Sequence, residues 1–145
     1  MTKIIKFIFS VFILSIIASK AIANENFYDE ALKMYKEKKY DDAKFLFERN
    51  IVYNPKNVGS YLYLAKIYNK KEDQKKEEQN LDTVLLIEPT NEEAILMSMK
   101  IALEKSNYSK VKKLSETFVK VCKKLCDEND SIKKSLKNIE SKNES

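Results

Sequence analysis

From Phe27 onward, apolar side chains recur at intervals of three and four residues. Phe27, Ala31 and Met34 share one helical face. Tyr40, Ala43, Phe47, Asn50 and Ile51 continue at the same spacing, as do Tyr61, Leu64, Ala65 and Tyr68. The pattern then lapses. Lys70 to Asn80 contains no apolar residue, and Glu77 stands where a small residue would let two helices approach. This predicts a loosely packed turn and early helix there, for want of apolar contacts. Packing resumes at Leu81, Val84 and Leu85, then at Ile95, Met99 and Ala102. A last long stripe runs through Val111, Leu114, Phe118, Val121 and Leu125, after a turn at Ser106-Asn107. Thr90-Asn91-Glu92-Glu93 reads as a capping box on Thr90, with Asn91 a competing cap. Asp127 to Asp130 reads as a polar break. Ser131 to Ile139 reads as a short final helix with Ile132, Leu136 and Ile139 on one side, and residues 140–145 as disordered.

Two prolines punctuate this series, Pro55 and Pro89, separated by 34 residues. Each follows a similar run, Phe45 to Asn54 in one case and Gln79 to Glu88 in the other. Proline lacks an N–H and cannot continue a helix, so each ends the second helix of a pair. A period of 34 is the length of one tetratricopeptide helix-turn-helix unit. The chain resembles that family through Phe27, Ala31, Tyr40, Ala43, Phe47 and Pro55 in a first unit, and Tyr61, Leu64, Ala65 and Tyr68 in a second. It departs from the family pattern at Glu30, Asn50 and Glu77, and no proline closes the third unit. The resemblance implies an all-α, right-handed α-solenoid of about three tetratricopeptide-like repeats. These span residues 24–57, 58–91 and 92–126, with the short helix and tail of 127–145 behind them.

The first 23 residues read as a secretory signal. Lys3 and Lys6 precede a run from Phe7 to Ala18 that is apolar apart from two serines, and Ala21-Ile22-Ala23 offers a cleavage site before Asn24. An uncleaved anchor is the alternative, but the run is short against the roughly 17–25 residues of a bilayer span. The expected location is the periplasm or the exterior. The formal charge of +5 is partly this signal: without Lys3, Lys6 and Lys20 it falls to +2. What remains is uneven, with residues 24–104 net −3 and residues 105–145 net +5. The charge therefore argues little for nucleic acid, and the basic end suits an acidic partner or a solvated face.

Chemistry is sparse. There is no histidine, hence no Ser-His or Cys-His pair, and the single glycine, Gly59, rules out a glycine-rich phosphate loop. Neither catalysis nor a cofactor nor a metal is expected. Cys122 and Cys126 lie four apart, on one face if they share a helix, with Cα atoms roughly 6 Å apart, near the upper end of disulfide geometry. Three outcomes stay open: a local disulfide stiffening the end of the last repeat helix, two reduced thiols, or a redox or metal role.

In the family's geometry the first helices line a concave surface. That implies a protein-binding face formed by Tyr28, Leu32 and Tyr35, then Leu62, Tyr63, Lys66, Asn69 and Lys70, then Met97 and Lys100. Aromatics with a basic rim suit a peptide bearing acidic groups. A carboxylate clamp of the family's kind is not implied, because the matching places hold Tyr28, Leu32, Tyr63, Glu93 and Met97. The resulting expectation is an exported scaffold for protein–protein interaction. The competing readings are a holdase-like chaperone for an exported protein and a thiol-dependent accessory factor using Cys122 and Cys126.

Overall fold

A computed structural model describes residues 26–143, and the side chains among them up to residue 138. The expected signal segment, 1–23, lies outside the described residues. The described residues form seven helices and no strand: α1 Phe27–Lys36, α2 Tyr40–Tyr53, α3 Val58–Lys70, α4 Gln74–Ile87, α5 Glu92–Glu104, α6 Tyr108–Val121 and α7 Cys126–Asn143. Helix starts recur at the same interval that separates the two prolines. Tyr40, Gln74 and Tyr108 open α2, α4 and α6, while Val58, Glu92 and Cys126 open α3, α5 and α7.

The turns inside the pairs repeat too. Lys38, Glu72 and Ser106 adopt φ of 61°, 57° and 55°, the left-handed conformation that ends many helices. The next amide in each turn donates back over five residues: Lys39 N to Met34 O at 3.0 Å, Asp73 N to Tyr68 O at 3.0 Å, and Asn107 N to Ala102 O at 2.8 Å. Such bonds satisfy carbonyls left open at a helix end. Asparagine or aspartate caps most of the following helices. Asn57 accepts from Ser60 N, Asp73 from Lys76 N, Asn91 from Ala94 N and Asn107 from Lys110 N. The cap of α5 is thus Asn91 rather than Thr90, and Glu93 is free to reach elsewhere.

Consecutive helices pack along the chain, and α7 rests on both α5 and α6. Three apolar clusters follow one another along the chain, and α3 and α5 each contribute to two of them. Leu64, Ile67 and Tyr68 of α3 join Ala31, Ala43 and Phe47, while Ala65 faces Leu81 and Val84. On α5, Ala94 and Ile101 face back toward that middle cluster, and Ile95, Leu96 and Met99 face forward to Val111, Phe118, Ile132 and Leu136. Gly59 makes room at one contact, since a Cβ there would stand 2.7 Å from Tyr28 Cζ.

Three expectations change. The polar stretch 70–80 is not loose: α4 is helical from Gln74 and Glu77 is buried, 3% exposed. Asn69 Nδ2 donates to both of its carboxylate oxygens, at 3.2 and 3.3 Å. Residues 127–130 are no break, for α7 starts at Cys126 and runs 18 residues, taking in 140–143. Asn129 supplies the reason: it is buried and accepts from Ser115 Oγ at 2.9 Å. Finally, the cysteines do pair, but not along one helix. Helix α6 stops at Val121, so the Cys122–Cys126 disulfide, Cα–Cα 5.4 Å, bridges the turn into α7.

Candidate functional site

The residues implied as a binding face lie on α1, α3 and α5, and the first two of these helices bring their aromatics together. Tyr35 meets Tyr63 edge-on at 4.9 Å, Tyr63 stacks on Phe47 at 5.2 Å, and Tyr28 meets Phe47 at 5.8 Å. Tyr28, Leu32, Tyr35 and Tyr63 are half-buried, so each spends part of its surface on the first apolar cluster and keeps part for solvent. Burial, then neighbouring phenols, push the Tyr28 and Tyr35 hydroxyls above their ordinary range. They stay neutral hydrogen-bonding groups at physiological pH.

The polar members divide. Lys66 lies 4.7 Å over the Tyr63 ring and 2.8 Å from Glu93 Oε1, so it ties α3 to α5. Asn69 turns to Glu77 within its own helix pair, whereas Lys70 lies over Tyr40 of α2 at 5.4 Å and so reaches back to the preceding pair. Leu62 and Met97 pack against the middle cluster. Lys100 is exposed and 3.7 Å from Glu128 of α7. The result is a half-buried aromatic strip on α1 and α3, continued by Leu62 and Met97 and edged by lysines.

A second feature was not anticipated from the sequence. A groove of about 720 Å3 opens between the α4–α5 turn and the α6–α7 turn. Leu62, Val121 and Leu125 supply its apolar lining. Glu88, Glu92 and Glu93 come from the α4–α5 turn and the start of α5, Lys120, Lys123 and Lys124 from the end of α6 and the turn after it, and the Glu92 carboxylate reaches across to that second turn.

The α6–α7 turn differs in kind from its two counterparts. Residues 54–57 and 88–91 each carry a proline second and a capping asparagine last, whereas residues 122–125 carry Lys123 and Leu125 there. The disulfide and Glu92 take over those duties. Glu92 Oε2 accepts from the backbone amides of Lys124 at 3.0 Å and Leu125 at 3.1 Å. The backbone amides of this turn, Lys124 first, then Lys123 and Leu125, hold its carboxyl below the ordinary carboxylate range. The signals that pointed here were the missing proline and the basic excess after residue 104.

Among the described residues no group of three or more His, Cys, Asp or Glu side chains is placed to hold a metal ion. No described helix is long and apolar enough to cross a membrane. In comparisons with known proteins, no family model matches the chain and no curated protein matches it.

Proposed function

We propose that this chain is an exported, tetratricopeptide-like scaffold that binds another protein and catalyses nothing. Its three helix pairs form a right-handed solenoid closed by α7, and α1, α3 and α5 present the binding face. The observation that carries this reading is the constant step from unit to unit, at which helix starts, left-handed turn residues and back-donating amides all recur. Units repeated at that interval stack their first helices side by side, and the common use of such a stack is to hold an extended or helical segment. The half-buried aromatic strip supplies contact area at low entropic cost, and Lys70 and Lys100 supply an exposed charged edge.

Cross-linking capture from envelope extract tests the proposal, with the chain starting at Asn24 as bait. One stoichiometric partner is expected. Recovery should fall about tenfold when Lys70→Glu and Lys100→Glu are combined, while the helical circular dichroism spectrum is retained. Failure to recover a partner, or equal recovery with the double variant, overturns the assigned face. Mass spectrometry of the exported chain checks the remaining part, which requires an N-terminus at Asn24.

A further inference from the structure

The groove between the α4–α5 and α6–α7 turns is lined by three glutamates and three lysines, and the two sets are not equivalent. Its carboxylates are already engaged within the molecule. Glu88 accepts from Asn91 Nδ2 at 3.1 Å, Glu92 from two backbone amides, and Glu93 pairs with Lys66. The ammonium groups are held less closely, although Lys123 is near enough to the Glu92 carboxylate to help lower its pKa. Lys120, Lys123 and Lys124 are exposed and make no ion pair among the described residues. Leu62, Val121 and Leu125 are only half-buried. A volume near 720 Å3 falls in the range of ligand-holding clefts, roughly 300–1,000 Å3.

We infer that this groove is a second contact site of the scaffold, built for a short acidic peptide segment that sets one apolar side chain on Leu62, Val121 and Leu125 and its carboxylates on the three lysines. The inference rests on the protein-binding reading above and adds the chemistry of the partner. Charge complementarity selects the occupant, because the three carboxylates have close partners within the molecule while none of the three lysines makes an ion pair among the described residues. The lysine-bearing turn is also pre-formed: the disulfide ties Cys122 to Cys126, and Glu92 holds the amides of Lys124 and Leu125, so little backbone ordering is left for binding. A flat anionic membrane is the poorer fit, since three glutamates line the groove together with the lysines and repel an anionic surface.

Chemical-shift titration of the exported form, disulfide intact, decides the matter. The protein carries the isotope label, and the probes are an unlabelled peptide of three glutamates and two leucines, its lysine-for-glutamate counterpart, and vesicles of phosphatidylglycerol. The acidic peptide should shift the amides of residues 120–125 and the methyls of Leu62, Val121 and Leu125, with affinity falling as salt rises. Charge reversal by Lys120→Glu, Lys123→Glu and Lys124→Glu together should weaken it by at least about tenfold. The same reversal at Lys33 and Lys36 on α1 should leave it unchanged. Absence of shifts, equal binding of the basic peptide, tighter binding of the vesicles, or indifference to the triple reversal each overturns the inference. Capture of a partner that survives the triple reversal but not Lys70→Glu with Lys100→Glu would sink the groove while leaving the scaffold reading in place.

Discussion

At the scale of single residues, Gly59 shows how one atom sets the approach of two helices. The Tyr28 ring occupies the space a Cβ would need, with Cζ 2.7 Å from its position. Alanine is the better helix former by roughly 1 kcal/mol, but overpacking costs about 1–3 kcal/mol. Gly59→Ala should therefore destabilise the protein by about 1 kcal/mol in urea unfolding. In a Tyr28→Ala background the same change should stabilise, and an unchanged sign would show that the ring does not enforce the glycine. The left-handed turn residues run the other way. Lys38, Glu72 and Ser106 hold positive φ without being glycine, so glycine at each should gain roughly 0.5–1 kcal/mol.

Two glutamates carry opposite pH signatures. Burial raises the Glu77 carboxyl above its ordinary 4.5, against the Asn69 bond that lowers it. The folded state then holds the proton longer than the unfolded one, so stability falls as pH rises through the interval above 4.5. Glu77→Gln should stabilise at pH 7 and lose that advantage in acid. For Glu92 the backbone amides lower the folded value below 4.5. Its contribution is present above that value and disappears as pH falls through the depressed one. Glu92→Gln should flatten that part of the acid limb, as read from urea midpoints between pH 3 and pH 7.

At the scale of elements, the α6–α7 connection does with a disulfide and a distant carboxylate what Pro55 with Asn57, and Pro89 with Asn91, do within their own turns. A ring closed over a sequence separation of 4 is worth about 2 kcal/mol in the chain-entropy model. Reduction, or Cys122→Ser, should lower stability by about that much and speed proteolysis within α7 before the rest. Uniform digestion of all helices would show instead that α7 unfolds only with the whole stack. The exposed ties between neighbouring units, Asp41 to Lys71 and Glu78 to Lys105, should matter little by comparison, since such pairs contribute under about 1 kcal/mol each.

For the molecule as a whole, α7 completes the last interface. It starts at the same sequence interval after α5 as α5 does after α3, and it packs on both α5 and α6. Ile132 and Leu136 are 4% and 8% exposed, in one cluster with Ile95, Leu96, Met99 and Phe118. Deleting residues 126–145 uncovers that surface and should cost roughly 3–6 kcal/mol for the two side chains alone. The truncated chain should melt far lower or aggregate, and an unaltered melting temperature would show that α7 is an appendage. Because α7 packs on α5 and α6, damage at α7 should weaken α5 and α6 more than α1 and α2, as hydrogen exchange would register.

Much of this architecture is local, and the sequence alone determines it. Apolar spacing of three and four fixes which side of each helix turns inward, and two helix-stopping prolines one period apart fix where two pairs end, because both effects act within a few residues. Ile132 and Leu136 were legible for the same reason. Only tertiary structure decided the features that join distant residues. Glu77 reads as a misfit until Asn69 is seen beside it. The cysteines read as one helix face until α6 ends between Val121 and Cys122. Glu92 reads as part of a capping box, yet its carboxylate serves the amides of Lys124 and Leu125, almost a whole repeat further along the chain. The groove belongs with these, for no periodicity along one helix describes a surface assembled from two turns and the floor between them.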